Sequence, residues 1–150
     1  HGIRRHLRAD QAADGGVLIE RCSARVCGDG IVARDGGIVR DCVAERNLEQ
    51  GIHVKRSGNT IVGNICNGNG SSGIFVFEDG NRIEGNHLAN NDFGLYFRYW
   101  DPDNLAERNI AMRNTAYNNT TENFHAGVSN AVAPVETSGV FTNAWANFGM

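Results

Sequence analysis

A step of about 22 residues runs through this chain. Cys22, Cys42, Asn64, Asn86 and Asn109 fall 20, 22, 22 and 23 apart, and Cys27, Asn47, Asn69, Asn91 and Asn114 follow each of them by five. A period of this size builds a solenoid, in which a unit buries its apolar face only against its neighbours. The repeat also carries phase marks: a glycine and an aliphatic residue recur at Gly30-Ile31, Gly51-Ile52, Gly73-Ile74 and Gly94-Leu95. Each unit is expected to run strand, turn, strand, asparagine turn.

Alternation inside the units selects strands over helices. Ile52 and Val54 flank His53, Ile74 and Val76 flank Phe75, and Leu95 and Phe97 flank Tyr96, a period of two that puts the aliphatic side chains on one face. A second short strand is expected before each ladder residue, with Ile19, Val39, Ile61, Ile83 and Ala106 inward three residues ahead of it. Ala24, Ala44, Cys66, Leu88 and Ala111 then point inward two residues after it. Units of this length are too short for a strand plus a crossover helix, which needs about 30 residues. What remains is a coil of strands and turns whose rungs pair in parallel at about 4.8 Å. A buried asparagine is costly alone. In a column its amide can bond the turn backbone and the amide stacked on it, and cysteine in the first two units replaces the polar group by a small apolar one.

At 150 residues, with 19 Gly against 2 Pro, one turn-dense β domain is expected. The net charge of −3 shows no long run of either sign, which does not favour nucleic acid or an anionic membrane, and no apolar stretch approaches the roughly 20 residues of a membrane span. No metal-ligand spacing such as Cys-x-x-Cys occurs, so neither metal nor cofactor is expected. Cys22, Cys42 and Cys66 fill inward slots and Cys27 sits in the second ladder, so reduced core thiols are expected. Cys22 and Cys42, on adjacent rungs, would also come within bridging range.

Three segments follow. Residues 1–14, with Ile3 and Leu7 among Arg4, Arg5 and Arg8, form an N-terminal cap or frayed coil. Residues 15–118 form the repeats. Residues 119–150 form a C-terminal cap or oligomerisation tail, because Val128, Val132, Val135, Val140, Phe141, Trp145 and Phe148 continue without fixed spacing. An uncapped end would expose an open β edge and an apolar core. The tail therefore folds across the last coil or packs against neighbouring subunits, and a homo-oligomer, a trimer by preference, is expected.

The runs Gly51-Ile52-His53-Val54 to Ile61-Val62-Gly63-Asn64 and Gly73-Ile74-Phe75-Val76 to Ile83-Glu84-Gly85-Asn86 resemble the right-handed parallel β-helix repeat proteins of the pectin-lyase-like superfamily. The tail from Asn114-Thr115-Ala116-Tyr117 to Trp145-Ala146-Asn147-Phe148 looks like the ending of bacterial and metagenomic repeat proteins of unassigned function. The resemblance implies an all-β, right-handed parallel β-helix of about five coils with irregular terminal caps, and an extracellular or cell-surface location. It implies architecture more than activity, since enzymes, spikes and adhesins share this coil.

Function would sit on the outward faces. The first strand of successive units sets Val32, His53, Phe75 and Tyr96 in one outward column and Arg34, Lys55, Phe77 and Arg98 in the next. Such a stripe is too aromatic for plain solvent. It suits a subunit interface or a surface covered by the tail, or else a saccharide platform, with rings under sugar faces and cations for acidic groups; His53, Lys55, Phe75, Phe77, Tyr96, Arg98 and Trp100 are the binding candidates. Gly94 to Asn109 spans two residues more than Gly73 to Asn86, the excess falling near Tyr99-Trp100-Asp101-Pro102-Asp103-Asn104. Asp101-Pro102 resembles the Asp-Pro-His active-site turn of mannuronan epimerases, with Asp103 standing in the histidine's place. A non-catalytic, self-associating module that contacts polysaccharide is thus the first expectation. A polysaccharide lyase or epimerase using Arg98, Tyr96, Asp101 and Asp103 is the alternative, since such an enzyme must neutralise a uronate and abstract the adjacent proton.

Overall fold

The computed structural model describes residues 16–98, 103, 105–127, 129–137 and 143–150. The first coil is β1 (Leu18–Glu20), β2 (Ser23–Arg25) and β3 (Ile31–Ala33), and the second is β4 (Ile38–Arg40), β5 (Val43–Glu45) and β6 (Ile52–Val54). The third is β7 (Thr60–Val62), β8 (Ile65–Asn67) and β9 (Ser72–Val76), and the fourth is β10 (Arg82–Glu84), β11 (His87–Ala89) and β12 (Phe93–Phe97). The fifth is β13 (Ile110–Met112), β14 (Thr115–Tyr117) and β15 (Glu122–His125). The chain then adds β16 (Ala131–Val132), β17 (Val135–Glu136) and β18 (Asn147–Gly149). Each coil thus has three strands, not two, because an asparagine corner separates the short strand before a ladder residue from the one after it.

The strands stack in parallel into three sheets, in the orders β1-β4-β7-β10-β13-β16, β17-β18-β14-β11-β8-β5-β2 and β15-β12-β9-β6-β3. No described residue is helical, and none belongs to a helix long and apolar enough to cross a membrane. Parallel pairing continues past residue 118. There β18 lies between β14 and β17, pairing Thr115 with Phe148 and Val135 with Asn147. The expected cap at 1–14 lies outside the described residues.

The core is a set of inward columns. Ile31, Ile52, Ile74, Leu95 and Phe124 stack rung on rung, as do Val39, Ile61, Ile83 and Ala111, and Ala44, Cys66, Leu88 and Ala116. All are buried and form one continuous cluster. The glycine phase mark has a steric cause: a Cβ on Gly73 would meet the carbonyl oxygen of Gly94 at 2.8 Å and the Asn91 amide at 2.9 Å, closer than real side-chain carbons approach.

The corners hold the chain's polar signature, in three columns instead of two. One runs Cys42, Asn64, Asn86, Asn114, Asn147, a second Cys27, Asn47, Asn69, Asn91, Asn119, and a third Asn59, Asn81, Asn109, Asn130. Asn109 and Asn114 therefore do not continue the lines of Asn86 and Asn91; each lies one corner earlier. Likewise Ala106 and Ala111 do not follow Ile83 and Leu88. Ala111 pairs with Ile83, and Ala116 with Leu88. Gly94 to Asn109 spans 15 residues where Gly73 to Asn81 spans 8, so the insertion after β12 is seven residues long, not two.

The chemistry of a column repeats. Asn64 N–H and Nδ2–H both donate to Asn86 Oδ1, at 2.9 and 3.0 Å, and Nδ2 also donates to Val39 O at 3.0 Å. Each amide oxygen thus faces the coil before it, and Nδ2 donates onward to the next until the last asparagine of each column. The residue ahead of every ladder position but Asn147 has a left-handed backbone, as at Gly63 (φ 66°), Gly85 (φ 64°), Asn90 (φ 56°) and Arg113 (φ 56°), which turns the strand through the corner. Glycine and asparagine meet this demand at low cost.

Candidate functional site

Strand pairing puts Val32, His53, Phe75, Tyr96 and His125 in one outward column of the third sheet. Lys55, Phe77 and Arg98 rise beside it, each N–H bonded to the coil before. The rings pack on one another: His53 to Phe75 at 5.1 Å, Phe75 to Tyr96 at 5.6 Å, Phe75 to Phe77 at 5.9 Å, and Tyr96 stacked on His125 at 4.8 Å between centroids. Phe93 adds an edge contact to Tyr96 at 4.6 Å. By covering one another they leave Phe75 only 7 % exposed, although it points away from the core.

Two ionic devices are set into this surface. In the first, His53 Nδ1 lies 2.8 Å from Asp29 Oδ2, with both side chains mostly buried, and Lys55 Nζ stands 3.8 Å from the same oxygen. A carboxylate only accepts, so Nδ1 carries the proton and Nε2 keeps its lone pair. Burial pushes the imidazole below its ordinary value of 6.5, against the opposing pull of Asp29. At neutral pH the pair is therefore a neutral imidazole oriented by a carboxylate. A histidine held neutral by burial favours the fold above pH ~6.5 and loses that contribution as pH falls toward its lowered midpoint, because the unfolded chain binds the proton more readily. We expect an NMR titration of His53 to show a midpoint below 6.5 and His53→Gln to remove this part of the acid destabilisation; a midpoint above 6.5 would mean that Asp29 dominates.

In the second device the Arg98 guanidinium carbon sits 3.6 Å above the centroid of the Phe77 ring, and Arg98 is 3 % exposed. Among the described residues, four buried side-chain atoms have no hydrogen-bond partner: Asp29 Oδ1, His53 Nε2, Arg98 Nε and Arg98 Nη2. All four belong to these two devices. The corner asparagines, buried or partly buried, are all bonded, so among the described residues the stripe concentrates the unmet polar demand.

The structure brings His53, Lys55, Phe75, Phe77, Tyr96 and Arg98 onto one surface. Trp100 and Asp101 lie outside the described residues, and Asp103 is an exposed turn residue. Arg98 closes the base of the inserted loop through its carbonyl, which accepts the Ala106 N–H at 3.0 Å. Asp29 carries no periodic mark; its only signal is the turn Gly28-Asp29-Gly30, one coil before His53. His125 escapes because the repeat loses its spacing after Asn114.

The four cysteines are free. Cys42 and Cys66 are buried, and burial pushes both thiols up. Cys42 Sγ also accepts the Cys22 N–H at 3.4 Å. Cys27 departs from the expected core position: it is exposed, on the first coil, where its backbone N–H and not its thiol enters the column. No group of three or more His, Cys, Asp or Glu among the described residues is arranged to hold a metal ion.

No curated protein and no solved structure matches the chain. A family model described as the right-handed beta helix region matches residues 7–147. With three parallel sheets wound coil upon coil through its described residues, the chain belongs to the right-handed β-helix family.

Proposed function

We propose that this chain is a saccharide-contacting β-helix module that associates with copies of itself at the cell surface or outside the cell. The observation that carries the ligand is His53. Its Nε2 is a buried acceptor with no donor, set among ring faces that offer apolar area to the C–H face of a sugar. A ligand hydroxyl supplies the missing donor. Self-association is supported by the outward face of the first sheet, where the paired Leu18 and Ile38 stand 51 % and 42 % exposed.

Isothermal titration against neutral and acidic oligosaccharides tests the ligand. Saturable binding is expected, weakened about tenfold in His53→Ala through loss of one hydrogen bond worth about 1 kcal/mol or slightly more. Absence of saturable heat across the panel would remove the reading. Light scattering on a sizing column tests association, and a strict monomer at all concentrations counts against it.

The Asp29–His53 pair favours a second reading, a lyase or epimerase acting on acidic glycans, because an oriented neutral imidazole with a free lone pair can accept a proton. New ultraviolet absorbance over alginate or pectate would show elimination, and proton NMR of the polymer would show epimerisation. Loss of either signal in His53→Gln with the fold intact would make the stripe catalytic.

A further inference from the structure

We propose that Arg98 is the receptor for an oxyanion on the ligand, a carboxylate or a sulfate gripped by two parallel hydrogen bonds from Nε–H and Nη2–H. This rests on the saccharide reading of the stripe and adds the charge class of the saccharide.

Geometry of the orphaned atoms selects the ligand. Nε and Nη2 form one edge of the guanidinium plane, and their N–H bonds point the same way at the spacing of two oxygens on one acid group. Both atoms are buried without an acceptor, while the face of the group is occupied by Phe77. Phe77 orients the plane but offers no acceptor to that edge. Guanidinium groups carry a permanent positive charge, and a buried unpaired charge is among the most costly features a fold can hold. Neutral hydroxyls would satisfy the hydrogen bonds and leave the charge; an oxyanion satisfies both. Asp79, whose carboxylate lies in the field of Arg98, gives its hydrogen bonds elsewhere, accepting from the Arg108 guanidinium at 2.7 Å and the Glu107 N–H at 2.9 Å.

Position adds a length requirement. Phe77 lies between the two devices, with its ring centroid 6.2 Å from that of His53 on one side and the Arg98 guanidinium stacked on the other. His53 belongs to the second coil and Arg98 follows the last strand of the fourth, two rungs or about 9.6 Å along the axis. A ligand that gives a hydroxyl to His53 and an acid group to Arg98 spans more than one sugar ring.

The test compares wild type, Arg98→Met and Arg98→Lys. Heat unfolding is followed in sodium chloride, sodium acetate and sodium sulfate at matched ionic strength, and Nε–H resonances are followed by NMR in the same salts. Sulfate stabilises proteins in general, so Arg98→Met is the reference. The expected result is an extra rise in Tm for wild type over Arg98→Met in acetate, sulfate or both, and a saturable shift of the one Nε–H signal that Arg98→Met lacks. The two salts separate carboxylate from sulfate as the preferred group. Arg98→Lys keeps the charge without the paired donors and should bind the same anion at least tenfold more weakly. In chloride, Arg98→Met should unfold no lower than wild type, since it removes a buried charge two of whose donor atoms have no acceptor. A destabilised Arg98→Met with no anion-dependent difference would make Arg98 a structural residue and overturn the proposal. An Nε–H signal that neither anion moves would overturn it equally. If a neutral oligosaccharide binds wild type and Arg98→Met alike, the saccharide reading stands and the oxyanion receptor falls. An anion response without any oligosaccharide binding does the reverse.

Discussion

Replacing Asn86 by alanine is expected to destabilise the protein by about 3–5 kcal/mol, lowering its Tm by roughly 10 °C. Asn86 Oδ1 accepts the Asn64 N–H at 2.9 Å and Nδ2–H at 3.0 Å, and its own Nδ2 donates to Ile61 O at 2.9 Å and Asn114 Oδ1 at 3.0 Å. With Asn86 only 1 % exposed, truncation leaves all four partners buried and short of a bond, each at about 1–3 kcal/mol unless water enters. Asn86→Asp separates lost bonding from lost volume. It keeps the size but puts a buried carboxylate where an amide donated, so its folded-state pKa is raised and the variant should gain stability as pH falls, protonation restoring one donor. Chemical unfolding of the three proteins at pH 5 and pH 7 would show this. A loss below about 1 kcal/mol for Asn86→Ala would mean that the column is decoration on a fold held by its apolar core.

Phe97→Ala carries the second large effect, about 3–5 kcal/mol by the same measurement. Among the described residues Phe97 is the largest fully buried side chain, at 0 % exposure. It stands over Ala33, Val54 and Val76 in its own column and shares the core cluster with Ala106, Ala111 and Ala116, all at most 1 % exposed. Alanines in the fifth coil leave volume that this ring fills, so its removal opens a cavity that rigid parallel rungs cannot close by collapse. Phe97→Leu, which keeps most of the volume, should cost less than half as much. Equal losses would point to the backbone of the inserted loop, one residue further on, as the sensitive element.

How far the fold can be read from the chain depends on which asparagines are compared. The period, the parallel coil and the inward columns from Ile31 to Leu95 follow from spacing alone, because one aliphatic pattern repeats four times without interruption. The fifth coil is misread when Asn109 is matched to Asn86 on a near-constant step of 23. A stronger mark is the triplet at intervals of five: Asn59, Asn64, Asn69, then Asn81, Asn86, Asn91, then Asn109, Asn114, Asn119. Aligning triplets in place of single residues gives three corners per coil and exposes the seven-residue insertion beside Arg98. For the site, alternation places His53, Phe75, Tyr96 and Arg98 on one surface, since strand side chains can point only in or out. Asp29 stays hidden because a contact between a turn and the strand one coil later obeys no period. The burial of Arg98 stays hidden too, since a position labelled outward says nothing about what stacks across it.

The asparagine columns also determine whether another layer could be laid on top. At their upper ends the amides bond locally: Asn147 Nδ2 donates to Ala133 O, Asn130 Nδ2 to Ala126 O and Asn119 Nδ2 to Asn123 Oδ1. At the lower ends of the described columns the corners carry Cys22, Cys27 and Gly37, whose N–H groups donate upward to Cys42 Sγ, Asn47 Oδ1 and Asn59 Oδ1. Among the described residues these upper amides are already bonded, so laying another rung there would first require them to be unfastened. The same chemistry that zips the layers together therefore also guards their upper face, since a new layer there has to win its donors from bonds already made.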